Sequence, residues 1–202
     1  GIMITASHNP KEYNGYKVYG PDGAQMSPEA TEKVVSYITA ITDYFSVKSD
    51  LLKKGNKGWL TPYVKIVDKG VDKRYYKQLA KLTLSKKAVK KLGGKIKLVY
   101  TPVHGSGFVP VTTILKKLGI RATLVEEQIA KDSEFYTVQV PNPELQETLS
   151  KGIALANKIG ADVVFGTDPD CDRVGIAVKH DNDYVLLTGN EVGILLTDYL
   201  LG

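Results

Sequence analysis

The stretch GTDPDCDRVG at residues 166–175 sets Asp168, Asp170 and Asp172 at alternate positions in a loop leaving an apolar strand. In an extended segment alternate side chains point the same way, so the three carboxylates are expected to converge. Left unpaired they would repel one another and their pKa values would rise. A hard divalent cation removes that cost, and an all-oxygen ligand set suits Mg²⁺ or Ca²⁺. An EF-hand also begins D-x-D-x-D, but here its sixth position is Arg173 instead of Gly and its twelfth is Lys179 instead of Glu. The competing reading is an acidic surface turn with Arg173 in a salt bridge. Cys171 alternates away from the aspartates and reads as a small buried filler.

A second polar stretch, TASHNPKEYNGYK at residues 5–17, follows a short apolar run. A nucleophilic Ser7 with His8 as its base is the first thought. Adjacent side chains of an extended segment diverge, however, so His8 is not expected to reach the Ser7 hydroxyl, and no G-x-S-x-G elbow is present. Ser7 as a phosphate carrier, with Lys17 and neighbouring polar groups serving the phosphate, fits better. A phosphoserine would supply anionic oxygens to a metal held by the aspartates. Taken alone, Ser7 and Asn9-Pro10 could equally form a simple turn.

The elements around these loops alternate between strand and helix. GIMIT and YNGYKVYG read as strands, and SPEATEKVVSYITAITDYF as an amphipathic helix with Ser27 as N-cap and Pro28 at its first position. Residues 46–67 lack a clear period and contain KKGNKG, a linker or hairpin signal; a helical pattern resumes at Val71, Tyr75, Leu79 and Leu82. Then follow the strand KIKLVYT, a glycine-bearing turn, the helix VPVTTILKKLG and the strand RATLVEE. A helix capped by Asn142 and closed by Gly160 precedes the strand ADVVFG, the aspartate loop, and the strands VGIAV and YVLLT. TGNEVGILLTDYLLG opens with a capping box, Thr188 with Glu191. This order predicts an α/β fold: a three-layer α/β/α domain with a mostly parallel, mixed sheet, preceded by an incomplete α/β remnant.

Composition narrows the function classes. No stretch approaches the roughly 18–20 apolar residues of a membrane span, and a single cysteine excludes an intrachain disulfide framework. A cytoplasmic protein with neither membrane nor nucleic-acid partners is the expectation. Residues 48–97 carry 16 Lys and Arg against 3 Asp and Glu, whereas the rest carries 11 against 19. The basic block is nearly all Lys and lacks the Arg-rich, aromatic-interleaved pattern of a single-strand binder, so a solvated helix face is favoured over a nucleic-acid surface.

TASHNPKEYNGYKVYGPDGAQ and GTDPDCDRVGIAV, joined by YTPVHGSG and LTGNEVG, resemble the α-D-phosphohexomutase family, above all its phosphoglucomutase/phosphomannomutase members. The resemblance covers essentially the whole chain. It implies a phosphoserine at Ser7 that exchanges a phosphoryl group with a hexose phosphate through a hexose bisphosphate. It further implies that Ser7, Asp168, Asp170 and Asp172 hold Mg²⁺, that His8 and Lys17 line the site, and that Arg173 holds phosphate. His104 to Gly107 would form a phosphate-facing turn or, preferably, an interdomain packing turn. The implied division is 1–46 for the end of domain one with the serine loop, 47–187 for domain two with the metal loop, and 188–202 for the first helix of domain three. The sugar-reading and distal-phosphate loops of the parent enzyme would then lie elsewhere, leaving these residues inactive alone. The alternative is a free-standing metal- or nucleic-acid-binding α/β module.

Overall fold

The computed structural model describes residues 1–46, 54–55, 58–59, 67, 69–92 and 94–202. They divide into two compact units. One comprises Gly1–Met3 and Lys17–Tyr75, the other Ile4–Tyr16 and Tyr76–Gly202.

β1 (Ile2–Ile4) and β2 (Tyr16–Val18) form a two-stranded sheet, of which Ile2, Met3, Lys17 and Val18 belong to the first unit. Helix α1 (Pro28–Thr39) begins as the sequence predicts, with Ser27 Oγ accepting the Ala30 N–H. It ends six residues short of Phe45. Thr39 turns its hydroxyl onto the Val35 and Ser36 carbonyls, and Asp43 Oδ1 accepts the Phe45 N–H, starting a separate 3₁₀ turn over Tyr44–Ser46. Both side chains compete with helical bonding. Within 46–67, β3 (Lys54–Gly55) and β4 (Gly58–Trp59) form the hairpin, with Gly55 opposite Gly58. Most of that predicted linker lies outside the described residues. Helix α2 (Lys69–Leu79) runs through the division between the units.

The second unit continues with α3 (Lys86–Leu92) and is built on five strands: β5 (Leu98–Thr101), β6 (Ala122–Leu124), β7 (Val163–Thr167), β8 (Val174–His180) and β9 (Asp183–Leu187). Their order is β6-β5-β7-β8-β9. β5 runs parallel to both β6 and β7, while the β7–β8 and β8–β9 pairs are antiparallel. The sheet is therefore mixed, parallel on one side and a meander on the other. β5 lies between two strands with both faces covered, and all four of its residues are buried.

Helix α4 (Phe108–Lys117) connects β5 to β6, and α5 (Gln146–Ile159) precedes β7. Leu149 and Ala156 of α5 pack with Val99, Val164 and Ala177 from one sheet face. On the opposite face Tyr100 and Phe165 meet with ring centroids 5.2 Å apart, and Gly107, at the start of α4, lies against Tyr100 and Thr167. Asn142 does not cap α5. Its Oδ1 accepts the Glu144 N–H in a preceding turn, and the helix starts after Leu145. Gly160 closes it as expected. Helix α6 (Gly189–Leu201) carries the predicted capping box, Thr188 Oγ1 accepting the Glu191 N–H while Glu191 Oε2 accepts the Thr188 N–H. Among the described residues, no helix is long and apolar enough to cross a membrane.

Candidate functional site

Strand β7 delivers Asp168 at its end, with no exposed surface. Here the chain turns sharply. Cys171 has φ of +64° and its N–H donates to the Asp168 carbonyl. The aspartates thus converge as expected but through a tight turn, not through the alternation of an extended segment. One carboxylate oxygen from each of Asp168, Asp170 and Asp172 lies within 4.8 Å of the others. Neighbouring oxygens around Mg²⁺ sit about 3 Å apart and opposite ones about 4 Å, so small side-chain adjustments would close this set on a hard divalent cation.

Asp168 organises the loop. Its Oδ1 accepts the backbone N–H groups of Asp172 at 3.0 Å and Arg173 at 2.9 Å. Its Oδ2 accepts the Ser7 hydroxyl at 2.8 Å. Burial, and then the adjoining Asp170 carboxyl, push the Asp168 carboxyl up to about 6, against the Arg173 N–H and the Ser7 hydroxyl. A bound cation would act in the opposite direction. The acidic-turn reading needs Arg173 in a salt bridge, but its exposed guanidinium makes none among the described residues.

The serine loop belongs to the same compact unit as the aspartates. Its ends are tied by the Thr5 N–H to the Gly15 carbonyl, and Thr5 Oγ1 accepts the Ser7 N–H at 2.8 Å. The Asn9 backbone and side-chain amides both donate to the Ala6 carbonyl. Ser7 is held at φ +54°, an uncommon conformation for a residue with a side chain and one that often marks function.

That conformation corrects one expectation. His8 does reach Ser7: its Nδ1 lies 3.2 Å from Ser7 Oγ. The left-handed backbone at Ser7 removes the extended geometry in which neighbours diverge. Because the Ser7 proton points to Asp168, His8 Nδ1 must carry a proton toward Oγ. Ser7 Oγ is thus flanked by a carboxylate acceptor and an imidazole donor. Lys11, which the motif reading did not single out, bridges to Glu134 at 2.6 Å in the same unit. Lys17 stands half-buried in β2, in the first unit.

His104 also has its place. It is buried, its Nδ1 donates to the Ala130 carbonyl at 2.7 Å, and its Nε2 accepts from Thr137 Oγ1 at 2.7 Å. Both ring nitrogens are engaged inside the second unit, so the ring packs there. Cys171 is the filler predicted: it packs against Gly107, and burial pushes its thiol up and away from reactivity.

The family model described as phosphoglucomutase/phosphomannomutase, alpha/beta/alpha domain II, matches residues 73–182. The corresponding model for domain I matches residues 1–45. A phosphoglucomutase of Staphylococcus aureus (strain MRSA252) is 38% identical over 201 residues, covering 98% of this chain and 35% of the relative. Among solved structures, a phosphoglucomutase/phosphomannomutase family protein from Burkholderia thailandensis superposes with a TM-score of 0.64 at 21% identity, over 99% of this chain and 37% of that one. Parafusin, a phosphoglucomutase from Paramecium, gives 0.59 at 22%, over 92% and 36%. An Aspergillus fumigatus N-acetylphosphoglucosamine mutase, in complex with glucose 1,6-bisphosphate, gives 0.52 at 16%, over 98% and 47%. These structural likenesses carry the fold. The chain spans about a third of the length of the curated relatives it matches.

Proposed function

The chain belongs to the phosphoglucomutase/phosphomannomutase family, and on that premise we propose that it forms the phosphoserine and metal half of a phosphohexomutase active site. The reaction is the interconversion of hexose 1-phosphate and hexose 6-phosphate through a hexose bisphosphate. Glucose is the preferred sugar, supported by identity to a phosphoglucomutase. The observation that carries this reading is the 2.8 Å hydrogen bond between Ser7 Oγ and Asp168 Oδ2, beside three carboxylate oxygens within 4.8 Å of one another.

The chemistry follows from those neighbours. In phosphoryl transfer the bond between phosphorus and Ser7 Oγ breaks as a sugar hydroxyl oxygen bonds to phosphorus. The sugar hydroxyl loses its proton and Ser7 Oγ gains one, and the step is proton-neutral when the sugar's proton returns, directly or through solvent, to the His8 ring at Nε2 as the Nδ1 proton passes to Oγ. His8 Nδ1–H, 3.2 Å away, can donate to Oγ as negative charge develops there, and Asp168 then holds the resulting hydroxyl. A phosphate on Ser7 would replace this hydroxyl with an anion facing a buried carboxylate, an arrangement that demands a cation. Asp168, Asp170 and Asp172, with a phosphate oxygen on Ser7, would hold Mg²⁺, which when bound neutralises charge on the transferring phosphoryl group. Arg173, exposed at the loop's end, offers a planar fork for a phosphate. For Lys17 the motif match is the support.

The domain limits that accompany this reading are 1–46, 47–187 and 188–202. Further domains of the parent enzyme would supply the sugar-reading and distal-phosphate loops, and its setting is cytoplasmic carbohydrate metabolism. The test is conversion of glucose 1-phosphate to glucose 6-phosphate by the complete enzyme containing this chain. Ser7→Ala is expected to abolish it, and the 202-residue chain alone is expected to show none. Near-parental turnover by the Ser7→Ala enzyme would overturn the assignment.

A further inference from the structure

The turn after β5 is strained for a reason the phosphoryl chemistry does not use. Val103 and His104 both lie in the left-handed region, at φ +45° and +61°. For a β-branched residue such as Val103 this is an outlier, retained only where the surroundings enforce it. They do: the His104 N–H donates to the Gln128 carbonyl at 2.8 Å, and the His104 ring is clasped at both nitrogens. The Thr101 hydroxyl donates to buried Gln128 Oε1 at 2.6 Å and accepts the Val103 N–H at 3.1 Å.

What this turn presents is a pair of donors. The Ser106 N–H and the Ser106 hydroxyl both reach the Pro169 carbonyl, at 2.8 and 2.9 Å. Gly105 comes so near that a Cβ on it would sit 2.5 Å from Pro169 Cα and 2.7 Å from its carbonyl oxygen. Pro169 lies between Asp168 and Asp170, and its carbonyl belongs to the peptide from which Asp170 projects. Fixing that carbonyl fixes the peptide plane, and with it the direction in which the Asp170 carboxylate leaves the chain.

We propose that Ser106 is a positioning residue for the metal loop, with the Val103–Gly105 turn built to deliver its two donors to the Pro169 carbonyl. The inference rests on the metal reading of Asp168, Asp170 and Asp172. The loop is thereby set before any cation arrives, and ordering it costs less at the moment of binding.

Mn²⁺ affinity of the 202-residue chain, measured by electron paramagnetic resonance of the free ion, tests this alongside the metal-free thermal midpoint. Ser106→Ala removes one donor and leaves the N–H, so a weakening of about 3–10-fold is expected, with the metal-free midpoint nearly unchanged. Ser106→Thr, which keeps the hydroxyl, restores the affinity. Gly105→Ala pushes on the loop itself and should weaken binding about 10–100-fold. Parental Mn²⁺ affinity in folded Ser106→Ala overturns the positioning role and leaves the metal site standing, whether or not the midpoint falls. Failure of the unsubstituted chain to bind Mn²⁺ overturns both readings.

Discussion

Ser7 Oγ donates to Asp168 Oδ2 at 2.8 Å across 161 positions of sequence, joining the serine loop to the carboxylate loop inside one compact unit. The bond matters because Asp168 is a buried acid that resists ionisation. The Arg173 N–H and the Ser7 hydroxyl favour its charged form, while burial and Asp170 favour the neutral one.

A pH dependence of unusual sign follows. In the unfolded chain the Asp168 carboxyl ionises near its ordinary value of 3.8, whereas in the folded, metal-free chain it holds its proton up to about 6. Below the lower value both states are protonated and Asp168 contributes nothing to the pH dependence. Between the two values the folded state binds more protons, so stability falls as pH rises and levels off above the upper one. The loss is at most about 3 kcal/mol. Thermal midpoints in chelator from pH 4 to 7 should decline relative to those of Asp168→Asn, and excess divalent ion should remove the decline. Parallel curves for the two proteins without metal would refute the balance described.

The antiparallel partner of β7 carries a packing constraint of its own. Gly175, one residue into β8, lies so close to Pro143 that a Cβ would overlap the Pro143 carbonyl. Neither backbone can yield cheaply, since Pro143 begins the entry to α5 and Gly175 pairs with Gly166 next to the aspartate loop. Gly175→Ala should cost about 1–3 kcal/mol or more, read as a lowered denaturation midpoint in urea. A midpoint within error of the parent's would show that the two segments separate freely.

The strands, the helix caps at Ser27 and Thr188, and the convergence of the three aspartates are legible in the sequence, because each rests on local residue chemistry. What depends on an unusual backbone angle is not. Extended geometry kept His8 from Ser7, yet φ +54° at Ser7 brings the ring within 3.2 Å. The same geometry accounted for the aspartates by alternation, where a left-handed Cys171 makes the turn. Asn142 reads as a cap because Asn-Pro suits both a helix start and an Asx turn, and here its Oδ1 closes the turn by accepting the Glu144 N–H. The Ser106 contact with Pro169 spans 63 positions, and glycine and serine in a turn carry no local sign of so distant a partner.

Asp170 gives the sharpest separation between a metal loop and an ordinary acidic turn. Its carboxylate adjoins that of Asp168, and their mutual repulsion contributes to the raised value there. Asp170→Asn removes a proposed cation ligand and relieves that repulsion at once. The metal-free fold should therefore be as stable as the parent or slightly more so, by about 0–1 kcal/mol. Divalent binding should weaken, because Mg²⁺ demands near-octahedral oxygen ligation and dehydrates reluctantly. Thermal scans of both proteins with chelator and with excess Mn²⁺ read the two effects separately. The parent's midpoint should rise with metal and the variant's should rise less. A complete enzyme carrying Asp170→Asn with unaltered Mg²⁺-dependent turnover would remove Asp170 from the metal site.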